Sequence, residues 1–246
     1  AAFLQNSPWA LAEAGELILS DGPHIYTKWI LLEAIGIYSP SSEAHALLRH
    51  LAADPSLGMG VLVTLMSVFC LAEEYSADSI SYMIERSGKP DRLGRISREA
   101  LGRIAGKLRE REPASASRIV SVLSERLRDQ VRSRKSQEAA STLEALSYTR
   151  DRQVLPGVWA LADDPHPVIR GEALVTLGAL DPRGSEARLR LALKQDPDPM
   201  VRIQAIEALM PVPNGVPEEQ SANSGRYRGP VSGSLRRWDM GSETAV

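Results

Sequence analysis

The sequence predicts an all-α fold, an α-solenoid (superhelix) of about six antiparallel helix pairs. Three observations carry this expectation. A block of residues recurs at a fixed interval in the second half, apolar side chains fall at helical rather than alternating spacing, and proline, glycine and serine breaks cut the chain into helix-length pieces. The composition agrees: 246 residues at 43% apolar and 24% charged suit a globular chain and exclude disorder throughout or a collagen-like fibre.

In chain order, breaks at Ser39-Pro40, Asp54-Pro55, Ser87-Gly88-Lys89-Pro90, Glu112-Pro113 and Asp181-Pro182 separate about twelve helices. The stretch 55–72 carries no charge in eighteen positions. A spanning helix needs about 20 mostly apolar residues. This stretch contains Pro55, Ser56, Gly58, Gly60, Thr64 and Ser67, so it is expected to be a helix buried among others, with no transmembrane segment in the chain. Cys70 lies within it and is expected to be an unreactive core residue. As the single cysteine, it excludes an intramolecular disulfide and a cysteine-built zinc site. No charged leader followed by an apolar run is visible, and a cytoplasmic location is expected.

The recurring block is the sharpest local signal. Asp164-Pro165-His166-Pro167-Val168-Ile169-Arg170 realigns with Asp196-Pro197-Asp198-Pro199-Met200-Val201-Arg202 at an offset of 32, and the match continues through Ala173 with Ala205 and Leu177 with Leu209. A proline at the first helical position is preset in φ and forfeits only an N–H that had no partner, so Pro167 and Pro199 should start helices. Asp198 stands where an N-cap belongs; His166, a poorer cap, holds that place in the other copy. Val168, Ile169, Ala173, Leu174 and Leu177, then Val201, Ile203, Ala205, Ile206 and Leu209, should form the packing faces, with Leu177 and Leu209 as equivalent core residues.

The pattern D-x-x-P-x-V-R-x-x-A-x-x-x-L resembles the HEAT repeat, especially the short form of the phycobilisome lyases, with the specific signal over roughly residues 151–210. The resemblance implies a surface for binding proteins. It also implies that the aspartate and the arginine six positions on bond between successive repeats, here Asp164 with Arg170 and Asp196 with Arg202. Glu33-Ala34-Ile35-Gly36, Glu99-Ala100-Leu101-Gly102 and Glu144-Ala145-Leu146 resemble the end of a second HEAT helix. Residues 28–52 are similar to a unit of the helical domain of large lipid-transfer proteins.

Sequence signatures of chemistry are absent. There is no phosphate-cradling glycine loop, no G-x-S-x-G and no H-E-x-x-H, and no catalytic residue, metal or cofactor is expected. His45 and His50, five apart, do not share a helix face. HEAT-like di-iron hydroxylases need His-Glu dipeptides, and none occurs. Trp9, Tyr26, Trp29, Tyr38, Phe69, Tyr75 and Tyr82 gather in the first third, where packing between helices is expected and an apolar ligand groove is the alternative.

Charge carries the functional expectation. Residues 1–84 have net charge −7, residues 85–136 net +8 and residues 137–246 net −3. The basic belt nominates Arg95, Arg98, Arg103, Lys107, Arg109, Arg126 and Arg134 as a surface for an anionic partner. The alternative is a set of solvated outer faces. With no aromatic residue between 83 and 147, the belt offers no stacking platform, so nucleic acid would be held only through its backbone charge.

Residues 211–246 contain four prolines, five glycines and five serines and are expected to form a flexible tail to a repeat domain over 1–210. The expected function is a non-catalytic protein-interaction scaffold. The alternatives are a cofactor-attachment factor of the bilin-lyase type and a lipid-binding helical domain.

Overall fold

The computed structural model describes residues 8–38, 42–54 and 77–210, with isolated positions between 57 and 75. Among them are eleven α-helices, one 3-10 turn and no strand. The helices are α1 (Pro8–Leu19), α2 (Ile25–Tyr38), α3 (Ser42–Ala53), α4 (Ala77–Ser87), α5 (Arg92–Arg111), α6 (Pro113–Arg132), α7 (Ser136–Tyr148), α8 (Leu155–Leu161), α9 (Pro167–Leu180), α10 (Pro182–Gln195) and α11 (Pro199–Leu209), with the 3-10 turn Arg152–Val154 leading into α8.

Local chemistry sets the helix starts. Helices α6, α9, α10 and α11 each begin at a proline. Asp198 caps α11, accepting from the N–H of Met200 at 2.7 Å and of Val201 at 3.4 Å. His166 caps α9 through Nδ1, at a longer 3.3 Å from the Val168 N–H. Asp91 caps α5 by accepting from the Gly94 N–H at 2.7 Å. Helix α6 ends with Arg134 at φ 57°, where the Lys135 N–H turns back to the Gln130 carbonyl at 2.8 Å.

The helices stack in two rows. Helix α5 packs on α7, α7 on α9 and α9 on α11, so alternate helices form a continuous row; α6, α8 and α10 pack against its flank. Close approach depends on glycine at two crossings. A Cβ at Gly102 would fall on the Ala145 carbonyl of α7, and one at Gly178 would meet the Ala208 Cβ of α11 at 2.9 Å. One continuous core follows the row, through Leu101 and Ile104, Leu143 and Leu146, Leu174 and Leu177, to Val201 and Ala205.

Three expectations are corrected here. Leu177 is fully buried, but Leu209 is only partly buried, because no described helix packs beyond α11. Met200, Ile203 and Ile206 on that last helix are likewise exposed. Trp9 and Tyr26 are exposed rather than packed between helices, although Tyr75 is buried. In the uncharged stretch, Val61, Leu65 and Val68 are helical and buried; Phe69 and Cys70 lie outside the described residues. So does the expected tail, 211–246. No helix among the described residues is long and apolar enough to cross a membrane.

Candidate functional site

The structure divides the basic belt by depth. Arg98 is corrected first: it is 2% exposed and is not a surface residue. Its Nη1 donates to the Ser87 carbonyl at 2.8 Å and the Lys89 carbonyl at 3.3 Å, and its Nε to Ser141 Oγ at 3.0 Å, tying α4, the following turn and α7 to α5. Burial pulls its guanidinium down to about 10. Arg126 is half-buried and makes the same kind of tie, donating to Ser87 Oγ and the Ile84 carbonyl, and burial lowers its pKa too. Arg103 is spoken for as well: Nη2 meets Glu99 Oε1 at 3.1 Å, and Cζ sits 3.9 Å from the centre of the Tyr148 ring.

Several other cations of the belt are exposed at the two ends of the α5–α6 hairpin. Lys107, Arg109 and Arg111 are exposed in the last turn and a half of α5, where Arg109 donates to the carbonyl of exposed Arg150, just past α7. Arg92, Arg132, Arg134 and Lys135 are exposed at the opposite end. Helix α5 has 20 residues, so the two basic rims are about 30 Å apart. Arg95 is half-buried between them.

The repeat arginines form brackets. Arg170 makes a fork with Asp196 of the next repeat, Nε to Oδ2 at 2.7 Å and Nη2 to Oδ1 at 2.9 Å. Its Nη1 donates to the backbone carbonyl of Asp164 at 2.7 Å. Arg202 repeats the second contact, reaching the Asp196 carbonyl at 2.8 Å. The bond between repeats therefore runs from the arginine of one to the aspartate of the next, whereas pairs six apart meet through backbone. The Asp164 carboxylate accepts from the His166 N–H at 2.8 Å. Hydrogen bonding to Arg170 holds the Asp196 carboxyl below its usual range, and the same bond raises Arg170.

A third set was not singled out from the sequence. Glu99 on α5, Glu144 on α7, Glu172 on α9 and Glu207 on α11 follow one another along the continuous row, each heading a Glu-Ala-Leu triplet. Burial, reinforced by Glu99 and opposed by Arg95 and Arg103, pushes Glu144 up to about 7. Burial, with the charges of Glu144 and Glu207, pushes Glu172 up to about 8. The triplets themselves were the available signal, since they recur on alternate helices. Among the described residues no three His, Cys, Asp or Glu side chains stand close enough to hold a metal ion.

Two rows of antiparallel helices, the last two units bracketed by an arginine fork, define a helical-repeat solenoid. The family model described as HEAT repeats matches residues 155–221, from α8 through α11 and past the expected boundary at 210, and this stretch is similar to HEAT repeats. No curated protein matches the chain.

Proposed function

We propose that the chain is a non-catalytic protein-interaction scaffold that engages an acidic segment of its partner at the rim formed by Lys107, Arg109, Arg111 and Arg150. The single supporting observation is the gathering of these exposed cations from α5 and the end of α7, with Arg109 bonded to the Arg150 carbonyl. HEAT repeats commonly mediate protein interactions, and a repeat stack offers an extended surface for one. An acidic protein segment is preferred to nucleic acid because the rim lacks an exposed ring for base stacking: Tyr148 is covered by Arg103. Residues 1–210 would be the repeat domain and 211–246 its tail, in the reducing cytoplasm that a lone cysteine suits.

The test is binding of a fluorescent deca-glutamate peptide to the full chain against the triple variant Lys107→Gln, Arg109→Gln, Arg111→Gln. The variant should bind about tenfold more weakly, and the difference should shrink as salt is raised. Equal binding by variant and wild type, or preference for duplex DNA over the peptide at matched charge, would overturn the reading.

A further inference from the structure

We propose that the chain assembles head to tail with copies of itself, the α10–α11 end of one molecule docking on the α1–α2 end of the next. This goes beyond the acidic-partner reading and does not depend on it, since it concerns other residues.

The first observation is where apolar surface is left open. Among the described residues, the large hydrophobic side chains that stand exposed fall into two groups. Trp9, Leu17, Ile25, Tyr26 and Ile30 lie on α1 and α2, whereas Leu191, Met200, Ile203, Ile206 and Met210 lie on α10, on α11 and directly after it. None lies on α3 to α9. Scattered singly, such residues need no explanation, but gathered together they mark an interaction site.

The two groups occupy the two ends of the described stack. Helix α11 closes the row, while α1 and α2 pack on each other and on α3. A terminal repeat ordinarily turns a polar face to water because it lacks a neighbour on that side. Both terminal units depart from that pattern. On α11, Ile203, Ile206 and Met210 recur at helical spacing, away from the buried side that holds Val201 and Ala205; on α2, Tyr26 and Ile30 stand four apart. What fits the open face of a helical repeat is another repeat, and each copy carries such a face at either end.

Charge selects which ends meet. Residues 8–38 carry four acids, Glu13, Glu16, Asp21 and Glu33, all exposed, against one base, Lys28. Helix α10 carries four bases against one acid, and Arg183, Arg190 and Lys194 share an exposed stripe with Leu191. Two α1–α2 ends would set acid against acid, and two α10 stripes base against base, whereas unlike ends place opposite charges beside apolar centres. A contact of this kind is heterologous: every docked copy presents a fresh end, so assembly continues as a filament unless it closes into a ring.

The experiment is sedimentation of the full chain over about a hundredfold range of concentration, in which the average mass should rise past that of a dimer. Ile203→Asp with Ile206→Asp spoils one end, and Tyr26→Asp with Ile30→Asp spoils the other; all four positions are exposed, so circular dichroism should remain helical. Each double variant alone should be monomeric. An equimolar mixture of the two should form a dimer that grows no further, through the one intact end that each contributes. Glu13→Lys with Glu16→Lys should weaken assembly about tenfold, and it decides the matter should an apolar variant fold poorly. The rim variant Lys107→Gln, Arg109→Gln, Arg111→Gln should assemble as the wild type does, so this proposal and the acidic-partner reading fail separately. A chain that stays monomeric, as it would with residues 211–246 laid over α11, overturns the proposal. So does growth that stops at the dimer, self-association of either apolar variant alone, or assembly lost in the rim variant.

Discussion

The middle of the solenoid, α4 to α7, and its last repeats, α9 to α11, both use arginine to hold neighbouring helices, and they do so with different chemistry. In the last repeats Arg170 meets the carboxylate of Asp196, a charge paired with a charge at a site still partly open to water. In the middle Arg98 goes deeper and meets no carboxylate; two backbone carbonyls and a serine hydroxyl satisfy it. The first arrangement is seen once among the described residues, where Arg170 of one unit meets Asp196 of the next; what recurs in both copies is the bond from the arginine to the backbone carbonyl of its own unit's aspartate. The second joins one particular set of helix ends and cannot be repeated down the stack. The contact that recurs in this molecule is therefore the one to backbone, and depth of burial follows the singular tie at Arg98.

The largest test of this contrast is Arg98→Ala. It leaves a cavity and strands buried acceptors, so unfolding free energy in urea should fall by about 4 kcal/mol, and Arg98→Lys should recover little because an ammonium cannot span the three acceptors. Rescue by lysine would mean that charge alone, rather than the fork, is what the middle needs. Leu177→Ala should cost about 2–5 kcal/mol, whereas Leu209→Ala, at a partly buried position, should cost about 1 kcal/mol. Equal losses would show Leu209 to be as enclosed as its counterpart. Arg170→Ala should cost about 2 kcal/mol and appear in hydrogen exchange as lost protection in α10 and α11 before α5.

The smallest effect is in pH, where the two kinds of carboxyl act in opposite directions. Asp196 has a depressed native pKa, so its contribution is present above the usual carboxylate range and fades as pH falls through the native value. Glu172 has a native pKa of about 8 against an unfolded value near 4.5, so the folded state binds the extra proton. Its contribution is present below about pH 4.5 and is lost as pH rises towards 8. Melting temperature should therefore drop by a few degrees between pH 6 and pH 9, and Glu172→Gln should flatten that slope while leaving the acid limb unchanged.

The same contrast explains how much could be read in advance. The offset of 32, the helix starts at Pro167 and Pro199 and the cap at Asp198 are local features, and the structure places them as the sequence suggests. The fate of the basic belt was not local. Whether an arginine on α5 faces solvent depends on which sides of that helix are covered, and α4, α6 and α7 all pack on it. A clue was present: Gly94, Arg98, Gly102 and Gly106 stand four apart on one stripe, and a Cβ at any of these glycines would strike a neighbouring backbone carbonyl. A charged residue on a glycine stripe is one that other backbone approaches. The carboxylate row escaped for the opposite reason, since Glu-Ala-Leu was read for its apolar rhythm while the meaning of its glutamate depends on stacking between helices far apart in sequence.

The reach of the ties also has a kinetic and mechanical meaning. The hydrogen bonds that join units span 43 residues at Arg98–Ser141, 33 at Thr176–Leu143 and 26 at Arg170–Asp196, each far shorter than the chain. Loop closure is therefore short-range, and folding should be fast, starting in the middle and zipping outward. Pulled from its ends, the molecule should yield as a ratchet, α11 peeling first in a low-force step and the segment clamped by Arg98 giving way last in a higher one.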